Sequence, residues 1–229
     1  MGKPLLLNIE TATKVCSVAL SKGETVINYM ECDIPNSHSK MLAKFISDIF
    51  KNTYYGIEEL DAVAVSKGPG SYTGLRIGVS AAKGIAYGGD IPLISIDTLG
   101  ILAFAAWKKY PDCTYLPMID ARRAEVYTAL YDKDMNKIRL VSADIVEGDI
   151  YSAIKADKII LVGDGAEKCK HYLTDDRYVL DKDIHLSAAD MVQMSYNKYC
   201  SEDFEDTAYF EPYYLKEFIA IKSKVKGLC

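Results

Sequence analysis

The sequence contains no C-x-x-C pair, no H-x-x-x-H pair and no Gly-Lys-Ser/Thr triplet. Its six cysteines (16, 32, 113, 169, 200 and 229) are scattered, which argues against a disulfide framework and a cysteine zinc site and fits a reducing compartment. Histidines 38, 171 and 185 have no partner four residues away. Excess positive charge is also missing. Lys and Arg total 27 against 32 Asp and Glu, a net charge of −5. A chain that grips nucleic acid alone needs a basic footprint, so any RNA substrate must be held mostly by something else. Long apolar runs are absent too. Leu5-Leu6-Leu7 is cut by Asn8 and Glu10, and the longest run, Ile101 to Trp107, is too short to span a bilayer. These features predict no signal peptide, no membrane partner and a cytoplasmic location.

What is present is an ordinary globular composition. Of 229 residues, 49% are apolar and 26% charged, enough for one domain or two small ones. The most informative stretch is Ser66-Lys67-Gly68-Pro69-Gly70-Ser71-Tyr72-Thr73-Gly74-Leu75-Arg76. It follows an apolar run with strand character and leads into a helical segment. A strand, a tight turn and a helix start can present free N–H groups to an anion. The glycine spacing is one residue too long for the dinucleotide fingerprint, and a tight turn that merely packs explains it equally well. In the helix that follows, Gly74, Gly78, Ala82 and Ala86 recur at four-residue spacing, as do Ser80, Gly84 and Gly88. Glycine inside a helix costs about 1 kcal/mol relative to alanine, so Gly78 and Gly84 predict the close approach of another backbone.

Taken in order, residues 5–9, 15–20 and 25–32 predict a three-stranded antiparallel meander. Pro35-Asn36-Ser37 is expected to cap a helix whose apolar stripe is Met41, Leu42, Phe45, Ile46, Ile49 and Phe50. Strand 61–66, the glycine turn, the small-residue helix, strand 92–96 and a helix capped by Thr98 complete a β-β-β-α-β-α unit. The same order starts again. Ile119-Asp120 mirrors Ile9-Glu10, Ala129-Leu130 mirrors Ala19-Leu20, and Asp157 to Gly165 repeats the strand-then-glycine theme. Two such units predict two like domains, 1–104 and 105–207, around a cleft. A solvated link at 201–206 leads to a segment, 208–229, that returns to the first domain.

Two facing copies of this unit resemble the actin, Hsp70 and sugar-kinase fold, an α/β class. Within it, Asn8-Ile9-Glu10-Thr11-Ala12, Asn36-Ser37-His38-Ser39, Lys67 to Gly78, Ile119 to Tyr127 and Pro212-Tyr213-Tyr214-Leu215-Lys216 resemble the bacterial TsaB (YeaZ) family. The last motif usually ends in arginine, and region 136–205 carries no quotable motif. The resemblance implies a non-catalytic subunit in the synthesis of threonylcarbamoyladenosine beside the tRNA anticodon. The implied partners are a TsaD-type catalytic paralogue and a small TsaE-type ATPase, with tRNA contacted indirectly and a homodimer when the chain is alone.

The same resemblance places Thr98 and Leu102 where the paralogue carries metal-binding histidines, and neither side chain replaces imidazole. Related ATP sites carry Asp-x-Gly-Thr where this chain has Glu10-Thr11-Ala12-Thr13, so no cofactor is expected to be required; ATP or ADP held at the partner interface is the remaining possibility. Thr11, Thr13, Gly68, Gly70 and Ser71 are the nucleotide-adjacent candidates. The partner surface is expected on the helix pair 36–53 and 73–89, with Met41, Phe45, Arg76, Gly78, Val79 and Ala82 as contacts. Gly78→Leu is then expected to abolish partner binding and leave the fold intact. His38 reads as a capping or surface residue, or else an interface contact. Asp120, Arg122, Arg123 and Glu125 read as turn-fixing ion pairs or as a phosphate-orienting set. The alternatives of other classes are a small-molecule kinase or ATPase acting alone, and a metallopeptidase.

Overall fold

The computed structural model describes residues 2–34 and 37–216. Strands β1 (Leu5–Glu10), β2 (Val15–Lys22) and β3 (Thr25–Asp33) form the expected meander. Helix α1 (His38–Asp48) follows, then β4 (Ala62–Gly68), α2 (Tyr72–Gly89), β5 (Leu93–Asp97) and α3 (Thr98–Lys109). β1 pairs antiparallel with β2 and parallel with β4, giving the sheet order β3-β2-β1-β4-β5. The order restarts with β6 (Thr114–Asp120), β7 (Glu125–Tyr131), β8 (Lys137–Ile145), β9 (Ile159–Val162), α4 (Ala166–Cys169), β10 (Tyr178–Asp181) and α5 (Ala188–Cys200). The second sheet has the matching order β8-β7-β6-β9-β10 with the same pairing senses.

The repeat is real but unequal. No helix lies between β8 and β9, so the second copy lacks a counterpart of α1, and α4 is a single turn where α2 has 18 residues. The glycine turns correspond closely. Gly68 ends β4 with φ +110° and Gly163 follows β9 with φ +96°, backbone conformations that disfavour any other residue.

Packing produces five layers. α1 and α2 cover the outer face of the first sheet over a core of Leu5, Leu7, Ile9, Val18, Leu42, Ile49 and Val79. α3 and α5 fill the space between the sheets, joined by Leu99, Leu102, Tyr115, Ile160 and Met191. The chain between β8 and β9, with α4, covers the outer face of the second sheet. The middle layer is exchanged: α3 leaves the first sheet and packs on β6, while α5 leaves the second and packs on β1, β2 and β5. The boundary expected at 104/105 therefore falls inside an unbroken helix.

Helix starts differ from expectation at two places. Asp97, not Thr98, caps α3, its carboxylate accepting from Leu99 N at 3.0 Å and Gly100 N at 3.3 Å. Ser37 makes no capping bond and donates instead to Ile34 O, while Pro35 and Asn36 lie outside the described residues. Glu205, expected in a solvated link, is drawn to the edge of the first sheet. Its amide donates to Leu93 O at 2.8 Å and its carboxylate meets the Ser95 hydroxyl. The chain then runs along the first sheet, with Tyr213 N donating to Lys67 O at 2.7 Å. The rest of the expected return, 217–229, lies outside the described residues.

Polar groups fix the exchanged helix. Ser195 on α5 donates to Asn8 Oδ1 at 2.5 Å, and Ala188 N donates to Ser17 Oγ at 2.9 Å. Asn8 and Ser195 are fully buried. Truncating one partner leaves the other unsatisfied, at about 1–3 kcal/mol. Asn8→Ala is therefore expected to lower stability by that amount in urea melts, with the change in midpoint and not in slope.

Candidate functional site

The β1–β2 turn, the glycine turn after β4, the starts of α1 and α2, and the β6–β7 turn converge on one cleft between the two halves. Its volume is about 690 Å³, and Thr13, Gly70, Ser71, Arg122, Arg123 and Asp164 line it. The C-terminal segment closes one side with Tyr213, Tyr214, Leu215 and Lys216.

On the first-sheet wall, the small-residue stripe is consumed inside the chain. A Cβ on Gly70 would meet Ala12 O at 2.5 Å, and Cβ atoms on Gly74 and Gly78 would strike the carbonyl and the hydroxyl of Thr11. Thr11 Oγ1 donates to Gly74 O at 2.9 Å, and Ser71 N donates to Ala12 O at 2.6 Å. The backbone approach predicted from Gly78 is thus made by the β1–β2 turn. Gly84 differs: it is exposed, and a Cβ there would meet nothing within 4 Å.

Glu10 is buried at the base of this turn. Its Oε1 accepts from Ala12 N at 2.5 Å, so the chain's own carboxylate occupies an amide that an anion would need. Oε2 has no hydrogen-bond partner among the described residues. Burial pushes the carboxyl up to about 7, opposed by the amides of Ala12 and Thr11 and by the nearby Ser66 hydroxyl.

Across the cleft, Arg122 and Arg123 hold φ of +70° and +53° in the β6–β7 turn. The neighbouring acids fix that turn. Asp120 Oδ1 accepts from Arg122 N at 2.8 Å and pairs with Lys168, while Asp120 N donates to Asp164 Oδ1 at 2.9 Å. Glu125 pairs with Lys216. The two arginine side chains make no ion pair among the described residues, so the turn-fixing pairs described here are those of Asp120 and Glu125. Lysines 168 and 216 complete the ion pairs, and no local sequence pattern marks the 168–120 contact.

The nucleotide-adjacent candidates separate in the structure. Thr13, Gly70 and Ser71 line the cleft, whereas Thr11 is buried beneath α2 and Gly68 beneath the Tyr213 carbonyl. The partner-contact candidates separate likewise. Arg76 is exposed and Met41 half-buried, but Phe45, Gly78, Val79 and Ala82 are buried against the first sheet, and the last three lie on the inner face of α2. Apolar residues at helical spacing mark the core here, not the outer surface. His38 is neither a cap nor a surface residue: its ring is buried, with Nε2 3.2 Å from Val15 O. Thr98 is buried and its hydroxyl accepts from Gly68 N at 2.9 Å, while Leu102 belongs to the middle core.

Two five-stranded sheets with matching order, a shared helical middle layer and turns from both halves facing a cleft define an α/β protein of the actin, Hsp70 and sugar-kinase fold. The family model of TsaD, tRNA N6-adenosine threonylcarbamoyltransferase, matches residues 34–201. The tRNA threonylcarbamoyladenosine biosynthesis protein TsaB of Escherichia coli strain K12 is 32% identical over 226 residues, covering 95% of this chain and 96% of that protein. TsaB of Haemophilus influenzae is 40% identical over 124 residues, 53% of this chain and 51% of that one. The solved structure of YeaZ from Pseudomonas aeruginosa superposes with a TM-score of 0.80 at 24% identity, covering 93% of this chain and all of that one. The chain belongs to the TsaB (YeaZ) family.

A carboxyl whose folded value lies above its ordinary 4.5 keeps a proton that the unfolded chain loses. Glu10 therefore makes stability fall as pH rises from about 4.5 towards 7, by on the order of 3 kcal/mol in total. Glu10→Gln is expected to flatten that part of the stability curve, measured by urea melts of both proteins at about pH 5 and pH 8.

Proposed function

We propose that this chain is a non-catalytic subunit in tRNA threonylcarbamoyladenosine synthesis. It binds and activates a TsaD-type catalytic paralogue that transfers the threonylcarbamoyl group to the adenosine beside the anticodon. The observation that carries the reading is the outer face of α1 and α2. Gly84 sits in the middle of an 18-residue helix with open space where a side chain would be. Glycine there costs about 1 kcal/mol against alanine and nothing among the described residues requires it, whereas a partner helix approaching closely would. Arg76, Ser80 and Tyr87 share that exposed face, with Tyr87 85% exposed.

A partner of the same fold, offering its own helix pair, completes a four-helix contact. The same face supports a homodimer when the chain is alone. Catalysis is assigned to the paralogue because Thr98 and Leu102, at the positions of its metal ligands, serve the glycine turn and the core here. A kinase or ATPase acting alone is disfavoured: Glu10 caps the turn amide and Ala12 is packed under Gly70, so this turn does not offer phosphate that amide. ATP or ADP held between this chain and the partner, with Arg122 and Arg123 facing it, remains compatible with the cleft, as does recruitment of a TsaE-type ATPase. In this reading tRNA is held through the complex, in the cytoplasm. Among the described residues, no helix is long and apolar enough to cross a membrane.

The direct test is reconstituted tRNA modification from threonylcarbamoyl-adenylate and ATP, with the paralogue and the small ATPase, in the presence and absence of this chain. Product is expected only when both this chain and the paralogue are present. Product without the paralogue would make this chain the enzyme, and full activity without this chain would remove its role.

The surface has its own test, which differs from the Gly78→Leu expectation. Gly84→Leu is expected to fold normally and weaken partner binding at least tenfold, about 1.4 kcal/mol, in titration calorimetry. Gly78→Leu is expected to lower the melting temperature sharply, because its side chain meets Thr11. Normal binding by a folded Gly84→Leu variant would put the interface elsewhere.

A further inference from the structure

We propose that Cys16 and Cys32 are a reversible redox site: on oxidation they join in a disulfide across the β2–β3 pair. The two residues are direct partners in the antiparallel register. Opposed residues of an antiparallel pair place their side chains on one face with Cα atoms about 4.5–5.5 Å apart, within the range of about 4.4–6.8 Å that a disulfide spans. That shared face is the one covered by α1. Cys16 belongs to the core beneath the helix, and Cys32 packs against its margin. Cys113, Cys169 and Cys200 sit before β6, on α4 and at the end of α5, and none is a strand partner of another cysteine.

The chemistry has an order because the two thiols differ in access. Cys32 is half-buried and meets the oxidant first. Its thiolate attacks one sulfur of a low-molecular-weight disulfide such as glutathione disulfide, forming a mixed disulfide and releasing one thiol. Cys16 then loses its proton and attacks the Cys32 sulfur, releasing the second thiol. Two electrons pass from the cysteine pair to the oxidant, and the two protons finish on the released thiols. Burial pushes the Cys16 thiol up to about 12, so ring closure is the slow step and quickens with pH.

The site lies at the start of α1. Cys32 Sγ is 3.5 Å from Ser37 Oγ, and the next residue, His38, reaches back to the Val15 carbonyl beside Cys16. A disulfide draws Cys32 away from Ser37 and loosens the start of α1, which lines the cleft. The proposal stands on the strand register and the burial of the two thiols and is independent of the partner assignment.

The test incubates the full chain with glutathione disulfide, quenches by alkylation, and maps the products by mass spectrometry. The expected product has lost two hydrogens, yields a Cys16–Cys32 linked peptide and reverts with dithiothreitol. Cys16→Ser is expected to stop at a glutathione adduct on Cys32, and Cys32→Ser to leave Cys16 unmodified. The rate of ring closure should rise about tenfold per pH unit near neutrality. The proposal is overturned if both thiols stay fully alkylable after unfolding while Cys113 or Cys200 takes up the oxidant. It is also overturned if Cys16 acquires the adduct at the parental rate in Cys32→Ser.

Discussion

The rest of the structure depends on the seating of the β1–β2 turn on the first turns of α2. Thr11 and Ala12 occupy the space left by Gly70, Gly74 and Gly78. No side chain larger than hydrogen fits at those three positions without moving the turn. This contact sets the height of α2 over the sheet, directs Ser71 and Thr13 into the cleft, and forces Glu10 inward to satisfy the amide of Ala12. In a fold whose cleft can serve phosphates, a buried carboxylate and a methyl group here fill the place by internal packing.

The two halves share a topology and differ in what covers their outer faces. The first sheet carries two full helices, which leave an exposed ridge at Arg76, Gly84 and Tyr87. The second carries one turn of helix and irregular chain, sealed by its own apolar residues such as Tyr151 and Leu173. An ancestral repeat can keep its pairing rules, because register is set by which face of each strand is buried, while losing an external helix whose only duty is to cover that face.

Much of this was legible in the sequence. The short strands at 5–9, 15–20 and 25–32, the glycine turn after β4 and the echo at 157–165 predicted the first sheet and the start of a second, because strand runs and turn residues are local properties. Three things were not. The small residues from Gly74 to Gly88 read alike in one dimension, yet Gly74, Gly78, Ala82 and Ala86 face the sheet and the β1–β2 turn while Ser80, Gly84 and Gly88 face outward, a division set by where a distant turn lands. Phe45, Val79 and Ala82 share the spacing of a contact surface and of a core, and only the position of the sheet decides between them. His38 sits in a polar context, but the carbonyl of Val15 lies within its reach once α1 crosses β2. Nor does spacing pair Asp120 with Lys168, which meet only after β9 has brought α4 beside β6.

The exchange of α3 and α5 in the middle layer has a consequence for how the molecule divides. Each half lends its last helix to the other's sheet, so a gene fragment encoding either half would lose a helix that packs across the inner face of its sheet. The middle layer thus acts as a clasp: α3 reaches from β4 and β5 of the first sheet onto β6, β7 and β9 of the second, and α5 crosses back to β1, β2 and β5.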